Sequence, residues 1–419
     1  MSRRNTELLL LIASAFPVIL LYAMYVLTAG AAISFETLAV PIGLFAAFAA
    51  AHIAVRILAP GADPAILPIV FVLSGIGITF VTRLAPTLAI SQLVILFISV
   101  ALMVGTLALV KNLDVVMRYK YTFGIIGIIL LMLPIFIGTT ISGSKLWIRI
   151  AGFTIQPGEF AKVFIVLFLA GYLAENRELL SISNRKILGL KIPRLRLLLP
   201  LFAVWGVCLL VVVFERDLGS ALLFYTIFLL MLYVATGRFS YVIIGLVLLA
   251  VGAVGAYKFL SHVQVRFQIW PIPLRMHRAR ATRLSSPSSR WPTAALLASA
   301  LATAWPTTSP SSSPTLSSRY RRGDGPFGRW RRSYPVYALC RTWPDHAARA
   351  KSDLAAFSAT GLTAAISFQA FLIVGGVTRL IPLTGVTLPF MSQGGSSLLA
   401  SFIIVALLLR AGDEATGRE

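Results

Sequence analysis

Apolar runs long enough to cross a bilayer dominate this chain, and no other feature narrows its fold as much. Stretches rich in Leu, Ile, Val and Phe occur near 8–28, 38–58, 65–83, 89–110, 121–138, 157–174, 197–214, 218–236, 240–260, 355–376 and 396–410. Each has the reach needed for about 30 Å of hydrocarbon. With 58% hydrophobic and 12% charged residues over 419 positions, the chain has more apolar surface than a soluble domain can bury. The expected fold class is an all-α polytopic membrane protein, a helical bundle with eleven of these runs as spans. Met1-Ser-Arg-Arg ahead of Leu8 imitates a signal peptide. No small-residue cleavage site follows it, so a retained first span is expected.

Positive charge orients the spans. Arg3 and Arg4, Arg56, Lys111–Lys120 and the basic stretch Arg177–Arg196 fall on alternate connections. Those sides, and the N-terminus with them, are expected to be cytoplasmic. The connections at 139–156 and 214–217, and the chain after Leu260, are then external. The net charge of +22 would ordinarily prompt a search for nucleic acid. No basic–aromatic stripe or zinc-ligand spacing supports that, so no nucleic-acid partner is expected. Cys208 in an apolar run and Cys340 elsewhere exclude a disulfide framework.

Residues 271–346 do not read like the rest of the chain. They contain no Lys, Glu, Asn or Gln, one Val and one Ile, but twelve Arg against two Asp, and four of the seven Trp. Arg-, Ala-, Pro- and Ser-rich text of this kind is what a GC-rich gene gives when read out of frame. Regrouping the possible codons of Trp270–Arg283 by one base permits Asp-Pro-Phe-Ala-Asp-Ala-Gln-Gly-x-Gly-Tyr-Gln. The same move on Trp291–Ala295 permits Met-Ala-Asp-Gly-Gly, with Gly where turns need it. The alternative is a basic Ser/Pro insertion too polar to pack. Sequencing error, pseudogene and genuine insertion all remain open. An intact frame would also supply a twelfth span, returning the chain inward before Arg349. Without it, the last two spans are expected to invert or pack incorrectly. The expected organisation is two extra spans over 1–60, a membrane core over 61–270, the aberrant segment 271–346, two further core spans over 347–412 and a cytoplasmic tail over 413–419.

Three polar constellations stand out. In Gly143–Lys162, Lys145 and Arg149 lie at the expected outer surface, while Glu159 and Lys162 are three apart on one helix face. Ionisable side chains entering a span are costly and line a cavity or polar path; the plainer alternative is a structural ion pair. Pro157 suits a first helical turn. Glu215-Arg216-Asp217-Leu218-Gly219-Ser220 forms the second cluster, in which Asp217 suits a helix cap. The third is Leu380–Ala400, with two prolines, three glycines and several hydroxyls, including Ser392, Gly394 and Gly395. It reads as a broken, re-entrant segment, tolerated at membrane depth only where protein or a wet cavity satisfies its backbone.

The strings K-L-W-I…Q-P-G-E-F-A-K, D-L-G-S-A-L and P-L-T-G-V-T-L-P-F-M-S-Q-G-G-S-S, in that order, resemble the SEDS family of RodA, FtsW and SpoVE. The likeness covers roughly 60–270 and 347–412. The Thr-Arg-Leu-Ile-Pro run before the last motif, and the two extra N-terminal spans, look like actinobacterial members, with RodA ahead of FtsW. The resemblance implies a peptidoglycan glycosyltransferase of the bacterial plasma membrane. Such an enzyme polymerises lipid II during elongation or division, releases undecaprenyl pyrophosphate and pairs with a class B penicillin-binding transpeptidase. It further implies a general base, and cations or a divalent ion (Mg or Mn) for the leaving pyrophosphate. The family's required Asp lies in its large external loop. In the regrouped string that Asp falls near Arg275 and Met276, where this chain has no carboxylate. By motif match the candidate substrate-binding residues are Lys145, Arg149, Glu159, Lys162, Asp217, Arg266, Ser392, Gly394 and Gly395. The chain as written is therefore expected to be inactive. Two other classes compete with this reading. One is a lipid II flippase, for which the loop Asp would be dispensable. The other is a non-enzymatic scaffold for the transpeptidase.

Overall fold

The computed structural model describes residues 3–269 and 353–416, apart from 31, 36, 142–143, 151–152, 182–184, 188–189, 193–194, 216, 379 and 383–384. The aberrant segment 271–346, the position of the expected loop Asp and Arg349 lie outside the described residues. The described chain is helical wherever the apolar runs predict spans. Helices α1 (Arg3–Thr28), α2 (Ala39–Leu58), α3 (Ile66–Leu84) and α4 (Pro86–Leu109) precede a short α5 (Asp114–Arg118) and α6 (Lys120–Ile137). A small antiparallel sheet follows, β1 (Thr139–Ile141), β2 (Ser144–Ile150) and β3 (Phe153–Ile155), with Ile148 opposite Ile155. After it come α7 (Pro157–Ser181), the hairpin β4 (Arg185–Ile187) and β5 (Leu190–Ile192), then α8 (Leu195–Phe214), α9 (Leu218–Thr236), α10 (Phe239–Phe259) and α11 (Ser261–Ile269). Two helices follow the undescribed interval, α12 (Asp353–Val377) and α13 (Gly395–Thr416). Among the described residues ten helices are long and apolar enough to span a membrane, and α8 contributes a shorter apolar stretch, Leu199–Val211.

The helix boundaries follow local chemistry. Pro86 and Pro157 open α4 and α7, where a missing N–H costs nothing. Asp217 caps α9, accepting from the backbone N–H groups of Gly219 and Ser220 at 3.1 and 3.2 Å. The same helix ends at Gly237, whose φ of +66° is the left-handed conformation glycine adopts without strain. The sheet was missed in reading 139–156 as a plain connection. The signal was there, because Lys145-Leu-Trp-Ile-Arg-Ile alternates polar or aromatic with aliphatic residues at a period of two.

Burial sorts the helices by role. The spanning window of α13 is 83% buried, whereas that of α10 is 11% buried. Helices α7, α12 and α13 form the centre, and α10 packs against α9 with most of its surface outward.

The bundle has two distinct ends. At the sheet end lie β1–β3, Asp217, α11 and the start of α13. At the tail end the N-terminus and the last turn of α13 meet: Arg4 donates to the carbonyl of Ala62, and Thr416 Oγ1 donates to that of Gly61 at 2.7 Å. Asp353 pairs with Arg177, which lies near the tail end because Lys120, at the start of α6, bridges neighbouring Glu175 at 3.1 Å. Helix α12 therefore starts at the tail end and runs to the sheet end, and α13 returns. This corrects the expectation that the last two spans invert or misplace. Both pack centrally, because their apolar faces match α4, α7 and α9 whatever precedes them in the chain.

Candidate functional site

Charge enters the bundle at the sheet end. Glu159 and Lys162, in the first turns of α7, are 6% and 3% exposed and form an ion pair at 2.7 Å. Two charges removed from water persist only if their remaining hydrogen-bonding capacity is met. Here α12 meets part of it: Lys162 also donates to Gln369 Oε1. The Gln369 amide then donates through Nε2 to the carbonyl of Thr387 at 2.9 Å and, more weakly, to Ser397 Oγ at 3.4 Å. A single amide thus joins α7, α12, the 385–397 segment and α13.

Between α12 and α13 the described backbone of Thr378–Gly394 is irregular, in keeping with the broken segment read from its prolines and glycines. Its polar groups are largely satisfied from within. Ser392 Oγ accepts from Leu388 N at 2.9 Å, Ser392 N donates to Leu388 O at 3.0 Å, and Leu380 N donates to Gly375 O at 2.8 Å. Phe390 sits at a φ of +63°, costly for a residue with a Cβ. Its ring is buried in a T-shaped contact with Phe402, centroids 5.7 Å apart, which holds the strained conformer. The segment approaches α3 so closely that a Cβ on Gly77 would lie 2.7 Å from the Phe390 carbonyl oxygen.

The second motif joins the first electrostatically. Asp217 is buried, and desolvation raises its pKa above the usual carboxylate range. The hydrogen bonds from Ser220 and the charge of Arg266 oppose that rise, while Glu159 adds to it. Arg266, on α11, is pulled below its ordinary value by burial, and Asp217 acts in the other direction. Glu215, buried two residues before Asp217, is pushed up to about 8 by burial and then by the charge of Asp217. Its Oε1 has no hydrogen-bond partner among the described residues.

The structure thus gathers Glu159, Lys162, Asp217, Arg266 and Ser392 at one end, with Gly394 and Gly395 opening α13. A Cβ on Gly395 would come within 3.1 Å of Ile95 on α4, so that glycine serves close packing. Two candidates fall outside the cluster. Lys145 donates to the Ile135 carbonyl at the end of α6 at 2.6 Å, pinning β2 to that helix. Arg149 is exposed on β2. Nor does the Glu159–Lys162 pair face an open cavity; Gln369 and the neighbouring backbone cover it. Gln369 itself was missed. Its signal was a lone amide inside the apolar run 355–376, the kind of residue membrane interiors admit only with a partner.

The fold and this cluster define a polytopic helical membrane protein with a buried ionic centre at one end. The family model for FtsW, RodA and SpoVE, described as a cell cycle protein, matches residues 56–281 and 342–417, and the chain belongs to that family. The peptidoglycan glycosyltransferase RodA of Mycobacterium tuberculosis is 35% identical over 427 residues, covering 98% of this chain and 90% of that protein. Among solved structures, a chain from a peptidoglycan synthase complex that coordinates polymerization and crosslinking aligns with a TM-score of 0.58 at 20% identity. That alignment covers 84% of this chain and 98% of the other. The Thermus thermophilus rod shape determining protein RodA aligns at 0.55 and 20% identity, covering 84% and 96%. These two likenesses are likenesses of fold.

Proposed function

We propose that this chain has the fold and buried polar core of a peptidoglycan glycosyltransferase acting on lipid II, with its sheet end outside the cell and its N-terminus in the cytoplasm. In that reaction an acceptor sugar hydroxyl attacks the donor's anomeric carbon, and undecaprenyl pyrophosphate leaves. The observation that carries the reading is the convergence, at one end of the bundle, of Glu159 and Lys162 from the first motif, Asp217 from the second and Ser392 from the third, with Arg266 beside Asp217. Lys162 and Arg266 supply positive charge of the kind a leaving pyrophosphate needs, in surroundings where charge is poorly screened. Glu159 holds Lys162 in an ion pair, and the charge of Asp217 acts on Arg266. The described carboxylates do not fit a divalent ion. Glu159 is engaged by Lys162 and Asp217 by its cap, and no group of three or more His, Cys, Asp or Glu among the described residues could hold one.

The general base is the missing part. The family's loop Asp falls where this sequence has Arg275 and Met276, outside the described residues, so the chain as written leaves the attacking hydroxyl without its proton acceptor. General-base catalysis is typically worth about 10²–10⁴-fold, and losing the loop's positioning adds to that. Incubated with labelled lipid II and a class B penicillin-binding transpeptidase, the chain should give no glycan ladder on a gel. A version with the frame restored across codons 268–350 should give one, and changing its recovered Asp to Ala should abolish it. Polymer from the unrestored chain would refute the assignment of the base. The packing of α12 and α13 beyond the break favours a second reading, a catalytically silent scaffold for the transpeptidase. Co-purification of that partner with the unrestored chain is its test.

A further inference from the structure

The Gln369 amide is held in one orientation by the chemistry of its partners. A lysine ammonium only donates, so Oε1 must face Lys162; a carbonyl only accepts, so Nε2 must face Thr387. No other described hydrogen bond ties the Lys162 ammonium to the last motif; the backbone alone makes a second tie, from Gln156 N–H, just before α7, to Ser396 Oγ at 2.8 Å. Gln369 is 1% exposed, so no water competes for these contacts. Two of the three N–H bonds of Lys162 are committed, to Glu159 and to Gln369, which fixes the direction of the third. Thr387, whose carbonyl receives the amide, keeps a buried Oγ1 without a partner among the described residues.

We propose that Gln369 is a positioning residue that locks Lys162 to the 385–397 segment and, by fixing that ammonium, sets how tightly a pyrophosphate-bearing lipid binds. The lipid class rests on the function proposed above; the lock itself does not. An alternative role as inert filler would make Gln369 interchangeable with any side chain of its size. Gln369→Met keeps the volume and removes both contacts. Gln369→Glu keeps an acceptor for Lys162 and loses the donor to Thr387.

The test has two arms, both on the full chain in detergent. In the first, hydrogen–deuterium exchange is followed over 385–397 without ligand. Both variants should speed exchange there several-fold while α9 and α10 keep their rates, because both lose the Thr387 bond. Unchanged exchange over 385–397 would overturn the lock, whatever the protein binds. In the second arm, binding of undecaprenyl pyrophosphate is measured for wild type, Gln369→Met, Lys162→Met and the double variant. Gln369→Met should weaken binding about tenfold, equivalent to about 1.4 kcal/mol, with no further loss in the Lys162→Met background. Equal losses in both backgrounds would show that Gln369 does not act through Lys162. Accelerated exchange in the first arm, together with no probe binding even by wild type, would uphold the lock and overturn the lipid assignment.

Discussion

The two ends of the bundle both bury charge, and they use it differently. At the tail end charge is spent on backbone. Arg410, 6% exposed, donates to the carbonyls of Leu58, Leu107 and Val110 at 2.7–2.9 Å and pairs with Asp413 at 3.0 Å. One guanidinium thus satisfies the terminal carbonyls of α2 and α4, the orphan groups every helix end presents. Arg4 does similar work at Ala62 while pairing with Glu7, which also binds His52 Nδ1 at 2.7 Å. At the sheet end a charge is tied across helices by a side chain, Lys162 to the Gln369 amide, and hydrogen-bonding capacity is left unmet among the described residues at Glu215 and Thr387. The lesson is that burial of charge does not by itself mark a site. Charge that terminates on helix ends is structural, and charge that terminates on another side chain can be redirected by a ligand.

The contrast can be broken most severely at the tail end. Arg410→Met should leave three buried carbonyls unpaired, each costing about 1–3 kcal/mol, and should abolish a monodisperse peak in size-exclusion chromatography. A well-behaved variant with an unchanged melting temperature would show that water or lipid can replace the guanidinium. The next effect belongs to the sheet end. Lys162→Met strands Glu159 and should cost about 3–5 kcal/mol, the range for breaking a buried pair. Glu159→Gln with Lys162→Met should recover most of that loss in thermal melts. If the double variant is as unstable as the single one, the pair is not an isolated unit.

The smallest effect sharpens the comparison through pH. The Glu215 carboxyl titrates near 8 in the folded protein, well above its ordinary value near 4.5. The folded state therefore binds the proton more tightly, so this group's contribution to stability is intact below the ordinary value and is lost as pH rises toward 8. Glu215→Gln should flatten that decline between pH 5 and 8 and raise the melting temperature at pH 8 by a few degrees, the scale of about 1 kcal/mol. Parallel melting curves for variant and wild type across that interval would show that Glu215 is solvated.

Much of this was legible in the sequence because hydrocarbon imposes a strict rule on it. All eleven apolar runs became helices, several displaced by a residue or two, since an unpaired backbone cannot face lipid. The motif carboxylates and cations were legible for the same reason: Glu159 and Lys162 in a span demanded partners. Partner identity was not legible. Nothing in the run around Gln369 says that its amide reaches Lys162, 207 positions away, because that contact depends on which helices are neighbours. Arg410 carried the same kind of signal, a lone cation ending an apolar run, and it turned out to serve helix ends.

The burial of α13 bears on how the chain is made. Among the described residues it is the latest helix in chain order and the most deeply enclosed of the ten long apolar ones. Until it arrives, α4 and α7 present to lipid the faces meant for it, and the carbonyls of Leu58, Leu107 and Val110 have no guanidinium. Completion of the described bundle thus waits until every codon of the 271–346 stretch has been translated. A chain ending anywhere in that stretch would lack α12 and α13, two of the three central helices, and should be cleared as unassembled.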